Sequence, residues 1–389
     1  MYNNKFEGIS MSVLQIADIG LGQTILRRAA ISPEQPALTF EGETQSFAEL
    51  GDRVRRMASV LREGGISAGD RVGYIGLNHP VFLEMLYACG CLGAIFVPLN
   101  FRLTGPEVRF IANDAGISTL VADDMLRPLI DSERDNLECT RYITAEADAD
   151  NWEPLEPLMA AATAIEASEK VDADDVAFIM YTSGTTGLPK GAMLTHGNIF
   201  WNSINVCFGE DGLSGTTLTC APLFHIGGLN VTTLLSLGKG VEVVLLRSFD
   251  AGEVLSLIEK HQVTTMFGAP TMFLMMVQHE SFAGTDLSSI ATLTCGGAPV
   301  PVPLIKTYGE RGINFCQGYG LTETAPFASL LASDLAMAKV GSAGKAPMFT
   351  EVRIVDEQNT PGSCWCPWRG LYQRPQCDEG LLESRRCHC

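Results

Sequence analysis

Hydrophobic positions recur at helical spacing early in the chain and alternate with short apolar runs typical of strands. Ser46 and Glu49 form a capping-box pattern, and apolar residues then follow every three or four positions to Leu61, before Gly64 and Gly65 end the predicted helix. Strands are predicted at 71–75, 94–98 and 119–122, and helices at 80–91 and after the capping pair Thr104 and Glu107. This alternation predicts an α/β fold with a mainly parallel sheet.

A polar connection separates this run from a second one. Residues 144–175 are rich in Ala, Glu and Asp and lack strong periodicity, which is typical of a surface segment. Apolar runs then predict strands at 176–181, 217–220, 241–246, 264–267 and 291–294, with helical or glycine-containing segments between them. The sequence therefore predicts two α/β subdomains.

The charge of the chain limits the partners that it can bind. Lys and Arg total 27 and Asp and Glu total 45, a formal net charge of −18, so no nucleic-acid partner is expected. The first residues lack the apolar stretch of a signal peptide, and the most apolar stretch, 86–99, is too short for a transmembrane segment. Twelve cysteines without an export signal favour reduced thiols and a cytoplasmic location.

A loop rich in glycines and hydroxyls follows the strand predicted at 176–181. Residues 182–191 read Thr-Ser-Gly-Thr-Thr-Gly-Leu-Pro-Lys-Gly. The glycines allow backbone N–H groups to approach an anion, the hydroxyls can donate to phosphate oxygens, and Lys190 adds positive charge. The loop is not a Walker A loop, because Lys190 is followed by Gly191 rather than by Ser or Thr. It predicts a triphosphate site, with a flexible surface loop as the alternative.

Residues 181–191 resemble the signature of the adenylate-forming superfamily, which includes acyl-CoA synthetases, firefly luciferase and the adenylation domains of peptide synthetases. Four further motifs follow in the family's order. Residues 221–225 resemble the acyl-pocket motif, 296–299 the adenine-binding loop, 317–324 the nucleotide and metal motif, and 340–345 the next motif. The resemblance covers about residues 20–361 and is specific, because five motifs recur in order.

The resemblance implies which residues hold ATP and Mg²⁺. Thr182 and Glu323 are the implied Mg²⁺ ligands, since this ion commonly binds through one carboxylate together with substrate phosphates. Tyr319 would stack on adenine. The implied catalytic residues are Thr182, Lys190, His225, Thr322 and Glu323. The implied nucleotide contacts are Thr182, Ser183, Gly184, Thr185, Thr186, Gly187, Lys190, Gly296, Gly297, Ala298, Pro299, Gln317, Gly318, Tyr319, Gly320 and Thr322.

Two histidines receive different interpretations. The resemblance places His225 where the carboxylate, the α-phosphate and the thiol would meet, although a lone histidine is more often a structural residue. His196, just past the phosphate loop, is interpreted as the start of a helix. The motif, rather than chemistry visible in the sequence, therefore assigns His225 to the site.

The acyl side of the site is less specific. Amino-acid-activating domains carry Phe-Asp where this chain has Phe224-His225, so no carboxylate is offered to a substrate amine. Residues 266–270 and Leu321 are predicted to line a pocket for an apolar acyl or aryl chain. Core packing explains Met266 and Phe267 equally well.

The last residues depart from the family. Residues 363–389 hold five of the twelve cysteines, without periodicity, where the family continues through a β-rich region, a hinge and a small domain with the adenylation lysine. Cys364, Cys366, Cys387 and Cys389 leave a zinc site open, although their spacing fits no zinc motif. A frameshift is the preferred hypothesis, because codons for 375–389 exist whose displaced frame reads PNVMKGYWNRADAT, a family-like continuation. The coding DNA tests this hypothesis.

The predicted architecture is the large N-terminal domain of the acyl-adenylating fold, with the small C-terminal domain missing. It comprises an N-terminal extension at 1–19, an α/β subdomain at 20–175, a second α/β subdomain with the ATP site at 176–335, the start of a β-rich region at 336–361, and an unstructured tail at 362–389.

The predicted function is that of an ATP-dependent acyl-CoA synthetase. It would use ATP and Mg²⁺ to activate a carboxylic acid, fatty or aryl, through an acyl-AMP intermediate and would transfer the acyl group to CoA, and a homodimer is left open. Two alternatives remain: an adenylation domain that loads a carrier-protein thiol, and a non-catalytic ATP-binding remnant. A chain without the adenylation lysine is expected to bind ATP and the acid but to turn over poorly.

Overall fold

The computed structural model describes residues 18–182, 187–209, 214–313, 315–355, 369–373 and 380–383, the last two segments by their backbone alone. In these ranges every helix is too short or too polar to cross a lipid bilayer.

Twelve α-helices lie in the described ranges, and the predicted caps start two of them. Ser46 N–H donates to Glu49 Oε2 at 2.7 Å and Glu49 N–H donates to Ser46 Oγ at 3.2 Å, which confirms the predicted capping box. The helices are α1 Leu21–Ile31, α2 Phe47–Glu63, α3 Pro80–Leu92, α4 Gly105–Ala115, α5 Arg127–Glu133, α6 Leu155–Ala161, α7 His196–Cys207, α8 Ile226–Gly228, α9 Leu234–Lys239, α10 Ala251–His261, α11 Pro270–Gln278 and α12 Val302–Gly309.

The described strands form three sheets. In chain order they are β1 Pro36–Phe40, β2 Glu43–Ser46, β3 Arg71–Ile75, β4 Ile95–Leu99, β5 Ile117–Ala122, β6 Arg141–Thr144, β7 Glu153–Pro154, β8 Val176–Thr182, β9 Lys190–Thr195, β10 Thr216–Thr219, β11 Val243–Leu245, β12 Val263–Gly268, β13 Thr292–Gly296, β14 Phe315–Gly320, β15 Phe327–Leu331, β16 Glu351–Val355, β17 Arg369–Gln373 and β18 Gly380–Glu383.

Both large sheets are mainly parallel, as predicted. The eight-stranded sheet has the order β15-β14-β13-β12-β10-β11-β1-β2, with antiparallel pairing only at its two edges. The seven-stranded sheet has the order β7-β6-β5-β3-β4-β8-β9, with one antiparallel pair, β8 with β9. Parallel strands require crossover connections, and helices supply most of these connections.

The chain passes between the two large sheets more than once. The N-terminal hairpin β1–β2 joins the eight-stranded sheet, where Leu38 pairs with Val243 of β11. The strands β8 and β9, which flank the phosphate loop, join the seven-stranded sheet instead. Strand pairing therefore does not follow the predicted boundary between residues 175 and 176, and the division into subdomains remains a prediction.

The third sheet is small and antiparallel, with the order β16-β17-β18. Its last two strands, at 369–373 and 380–383, lie within 362–389, where the sequence predicts an unstructured tail. Main-chain pairing of β17 with β16 and of β18 with β17 forms these strands, and it requires no side-chain periodicity. The cysteines proposed for zinc lie outside the described residues. Ile354 of β16 is 49% exposed.

The core centres on α3, which is buried on every side. All of its residues are buried, including Glu84, which is completely inaccessible. Arg53 of α2 pairs with this carboxylate through two hydrogen bonds, from Nε to Oε1 at 2.5 Å and from an Nη to Oε2 at 3.0 Å. A buried carboxylate needs such a partner, because burial without one is very costly.

Candidate active site

Three of the predicted motifs and the predicted pocket segment 266–270 lie at one edge of the eight-stranded sheet. Residues 221–225 follow β10, 266–270 lie at the end of β12, 296–299 at the end of β13, and 317–324 at the end of β14. Because these strands are parallel neighbours, their carboxyl ends meet at the same edge. Ligands of open α/β sheets bind at such edges.

The phosphate loop belongs to the other large sheet. It connects β8 to β9, and Thr182 and Lys190 are the last pair of that antiparallel ladder. Gly187 has φ +102° with open space around it, so its backbone conformation rather than packing requires glycine. Lys190 is exposed. The predicted contacts at 183–186 lie outside the described residues.

The two sheets meet at the predicted metal ligands. Thr182 Oγ1 lies 3.4 Å from Glu323 Oε1, although 141 residues separate them in the sequence. Neighbouring ligands of an octahedral Mg²⁺, each about 2.1 Å from the ion, lie about 3 Å apart. In the described ranges no group of three or more His, Cys, Asp or Glu side chains could hold a metal. The separation of this hydroxyl–carboxylate pair is close to that of two neighbouring Mg²⁺ ligands.

The glycines of the 317–324 motif serve packing. A Cβ on Gly318 would clash with the Phe327 ring, and one on Gly320 would clash with the Pro326 carbonyl oxygen. Both glycines let β14 pack against the segment that returns as β15. They therefore shape the turn that carries Glu323. This packing role comes in addition to the predicted contact of the two glycines with the nucleotide.

The predicted adenine loop is open to solvent beyond β13. Gly297, with φ +83°, Ala298 and Pro299 are exposed, whereas Gly296 is buried and a Cβ there would lie 3.1 Å from the Gly318 carbonyl oxygen. Tyr319 is half-buried. On β14, the strand that also carries Tyr319, Gln317 Nε2 is buried without a hydrogen-bond partner among the described residues. This donor is the kind of group that a ligand could satisfy.

His225 caps α8 and faces a cavity. Its Nδ1 accepts a hydrogen bond from Gly227 N–H at 3.2 Å, so the neutral ring carries its proton on Nε2. The His225 side chain is exposed to the cavity, yet desolvation by the surrounding protein lowers its pKa because it disfavours the charged imidazolium. The side chain is therefore a neutral hydrogen-bond donor at neutral pH.

The cavity has a volume of about 530 Å³ and lies between α4, the end of β8 and the segment 224–226. Thr182, Gly187, His225 and Thr322, all predicted site residues, line it together. The remaining lining is mostly apolar. The cavity thus collects the phosphate loop, the acyl-pocket motif and the metal motif around one space.

The α4 wall of this cavity was missed by sequence reasoning. Leu103, Phe110 and Ile111 line it, and Tyr181 Oη donates to Asp114 Oδ2 at 2.6 Å, which links β8 to α4. Burial, followed by the neighbouring Asp114, raises the pKa of Tyr181. The apolar residues of α4 have the spacing of ordinary core positions, so no signal in the sequence separates them from the core.

Two interpretations of single residues can be compared with the structure. Met266 is fully buried in the core beneath the eight-stranded sheet, which favours core packing over acyl-pocket lining for this residue. The Phe267 ring packs closely against Gly227, because a Cβ on this glycine would lie only 2.7 Å from the ring. His196 is the first residue of α7, as predicted, and its Nδ1 accepts from Leu21 N–H at 3.2 Å.

The sequence is similar to several enzymes that join acids to CoA. Residues 25–366 match the AMP-binding enzyme family. Feruloyl-CoA synthase from an Amycolatopsis species is 43% identical over 88% of this chain and 67% of that protein. Indoleacetate–CoA ligase from Aromatoleum aromaticum is 37% identical over 87% of this chain and 66% of that protein. The chain thus spans about two thirds of the length of these relatives.

Solved structures agree with the fold. The inhibitor-bound N-terminal domain of FACL13 from Mycobacterium tuberculosis has a TM-score of 0.84 at 32% identity, over 91% of this chain and 89% of that one. The o-succinylbenzoate CoA synthetase of Bacillus subtilis, in complex with an acyl-adenylate intermediate, has a TM-score of 0.81 at 29% identity, over 93% of this chain and 71% of that one. These similarities confirm the predicted fold class.

Proposed function

Because the chain belongs to the AMP-binding enzyme family, as its five motifs predict, we propose that it activates an apolar carboxylic acid and transfers it to CoA. A carboxylate oxygen attacks the α-phosphorus of ATP and pyrophosphate leaves. The CoA thiolate then attacks the acyl carbon and AMP leaves. This is the chemistry of an AMP-forming acid–CoA ligase, which uses ATP, Mg²⁺ and CoA.

The observation that carries the proposal is the contact between Thr182 and Glu323 across the two sheets. Their oxygens lie 3.4 Å apart beside a cavity that Thr322 and His225 also line. Bound Mg²⁺ would neutralise charge on the phosphates. The Thr322 hydroxyl donates to the α-phosphate, and Lys190, at the start of β9, adds positive charge to the loop.

His225 positions the acid in this proposal. Its neutral ring, with the proton on Nε2, donates a hydrogen bond to a substrate oxygen without forming an ion pair. Because Gly227 N–H occupies Nδ1, the ring cannot exchange its two nitrogens without losing this bond. The carboxylate would therefore meet a donor of fixed orientation.

The cavity between α4 and the phosphate loop supplies the route for the CoA thiol. His225 and Thr322 line it, and the acyl carbon would lie beside them. The acid itself would extend beyond His225 towards the end of β12. The loop 296–299 and Tyr319 would hold the adenine base.

Aryl acids are the substrates that we propose first, ahead of fatty acids. The relatives of 43% and 37% identity are named for ferulate and indoleacetate, both acids with an aromatic ring. We also propose a cytoplasmic enzyme, because CoA and ATP are intracellular substrates. The proposal also allows a homodimer, and sedimentation velocity measures the oligomeric state.

Calorimetry with Mg·ATP and with stable acyl-sulfamoyl adenosines, one aryl and one fatty, tests the proposal. Glu323→Gln and Thr182→Val should each weaken Mg·ATP binding about tenfold, with little further loss in the double variant, because both hold one ion. Glu310→Gln, another exposed carboxylate, is the control. Additive losses would contradict the shared metal site.

Thioester formation with free CoA separates the functional alternatives. Aryl-CoA formed by the purified chain supports the ligase. Binding of Mg·ATP without any acyl-AMP or thioester favours the non-catalytic remnant. A wild-type chain that fails to bind Mg·ATP would refute the proposed function.

A further inference from the structure

A buried asparagine connects the two large sheets next to the 221–225 motif. Asn78 lies in the turn between β3 and α3 and is 3% exposed. Its Nδ2 donates to the Ala221 carbonyl at 3.1 Å and to the Leu246 carbonyl at 3.0 Å, and its Oδ1 accepts from Leu223 N–H at 2.8 Å. Its backbone N–H donates to the Arg247 carbonyl at 3.1 Å.

These bonds hold the backbone on both sides of Pro222. Ala221 C=O and Leu223 N–H are two residues apart and both bond to the Asn78 side chain. The amide thus makes the pair of backbone hydrogen bonds that an adjacent strand would otherwise make. Both amide hydrogens and the amide oxygen are used. Among neutral side chains only the amides of Asn and Gln offer two donors and an acceptor in one plane. Neither Ala221 nor Leu223 can therefore shift without leaving a buried polar group unpaired.

The position of this segment determines the position of His225. The His225 N–H donates to the Pro222 carbonyl at 3.1 Å. That carbonyl packs so closely on Gly228 that a Cβ there would clash with it. Gly227 N–H then binds His225 Nδ1 at 3.2 Å. Each group between Asn78 and the imidazole is therefore held by a hydrogen bond or by close packing, including the imidazole ring itself.

We propose that Asn78 is a positioning residue, which holds the 221–225 segment so that His225 faces the bound acid beside Thr182. Asn78 follows β3 of the sheet that carries Thr182, whereas the carbonyls that it binds follow β10 and β11 of the sheet that leads to His225. The side chain thus fixes the two halves of the site relative to one another. This inference rests on the proposed function.

A purely structural role makes a different prediction from a positioning role. If Asn78 only stabilised the fold, its loss would lower the melting temperature and leave ligand affinities unchanged. Asn205 is the matched control, because it is also 3% exposed and ties α7 to Phe349 and Thr350 through hydrogen bonds at 2.8 and 3.0 Å. Its bonds lie outside the 221–225 segment.

The test compares Asn78→Ala, Asn78→Ser and Asn205→Ala by calorimetry with an aryl-sulfamoyl adenosine and with Mg·ATP. Asn78→Ala should weaken binding of the acyl-adenylate analogue at least tenfold and change Mg·ATP affinity less than threefold. Asn78→Ser keeps one polar group and should weaken binding of the analogue by a smaller factor. If the alanine variant does not fold, the serine variant replaces it, and its analogue affinity should fall more than its Mg·ATP affinity. Asn205→Ala should change neither affinity.

A double-mutant cycle with His225→Ala tests the link directly. Adding Asn78→Ala to His225→Ala should weaken the analogue less than twofold further, because the ring that Asn78 positions is already gone. Unchanged analogue affinity in Asn78→Ala, an equal loss for Mg·ATP, or additivity with His225→Ala would each overturn the inference. If the wild-type chain binds Mg·ATP but these criteria fail, the proposed function survives without the positioning role.

Discussion

Acid should destabilise this protein through His196, which is buried in its neutral form. The side chain is 1% exposed, its Nδ1 accepts from Leu21 N–H, and Nε2 has no hydrogen-bond partner among the described residues. Protonating Nδ1 would break the bond to Leu21 and bury a charge. Burial lowers the pKa of His196 from 6.5 to about 4, against a smaller raising effect of Asp175 and Asp18.

The magnitude follows from proton linkage. Between pH 6.5 and pH 4 the unfolded state binds a proton at this site that the folded state does not, so stability falls as pH falls. For pKa values of 6.5 and about 4, the loss between pH 7 and pH 5 is about 2 kcal/mol. The contribution is fully present above pH 6.5 and is lost as pH falls towards 4.

His196→Asn isolates this contribution, because an asparagine oxygen can still accept from Leu21 N–H but does not titrate. The free energy of unfolding is measured in urea at pH 7, 6 and 5, with fluorescence and circular dichroism together as a check for two-state unfolding. Between pH 7 and pH 5 the variant should lose about 2 kcal/mol less than the wild type. His279→Asn controls for the loss of a histidine elsewhere. Parallel pH profiles for His196→Asn and the wild type would refute the reasoning.

Three further substitutions test the packing that positions the site. Gly320→Ala places a Cβ against the Pro326 carbonyl and should lower the free energy of unfolding by about 2 kcal/mol, measured in urea, and weaken Mg·ATP binding. Glu84→Ala removes the fully buried carboxylate that bonds to Arg53, while Glu156 still pairs with Arg53, and should cost about 2 kcal/mol in the same measurement. Leu103→Trp fills the cavity beside α4 and should raise the KM for CoA at least tenfold while Mg·ATP affinity stays unchanged.

Matched variants separate these effects from general damage. Gly309→Ala, at the end of α12, adds a methyl group into open space and should leave stability and binding unchanged. Met125→Trp adds the same indole as Leu103→Trp on a residue that is 69% exposed and should leave the KM for CoA unchanged. If Gly309→Ala were as harmful as Gly320→Ala, or Met125→Trp as harmful as Leu103→Trp, the packing argument would fail.

Local signals in the sequence predict the elements well. The capping pair Ser46 and Glu49 lies within one turn of helix, so the sequence places both partners side by side, and α2 begins where they predict. The phosphate loop is recognisable because glycines and hydroxyls cluster directly after a strand, which the structure places as β8. Such signals depend on residues that are close in the chain.

Contacts between distant parts of the chain are not visible in the sequence. The hairpin β1–β2 pairs with β11 about two hundred positions away, and no pattern in Pro36–Phe40 indicates that partner. Asn78 carries no signature either, because a polar residue in a turn is ordinary and its partners are 143 and 168 residues away. Met266 is apolar, and apolar character suits a core and an acyl pocket equally.

The candidate site lies where the two large sheets meet, and this position explains which of its features the motifs predict. The motifs at 181–191, 221–225, 296–299 and 317–324 each lie at or just after the end of a strand, and the sequence of each motif fixes the chemistry that it offers. The distances between motifs depend on contacts from sheet to sheet, such as Thr182 with Glu323 and Asn78 with Ala221. A substitution within a motif should therefore remove a group, whereas one at the sheet-to-sheet contacts should leave every group present but misplaced. Loss of acyl-adenylate affinity with Mg·ATP affinity retained is the result that distinguishes the second case.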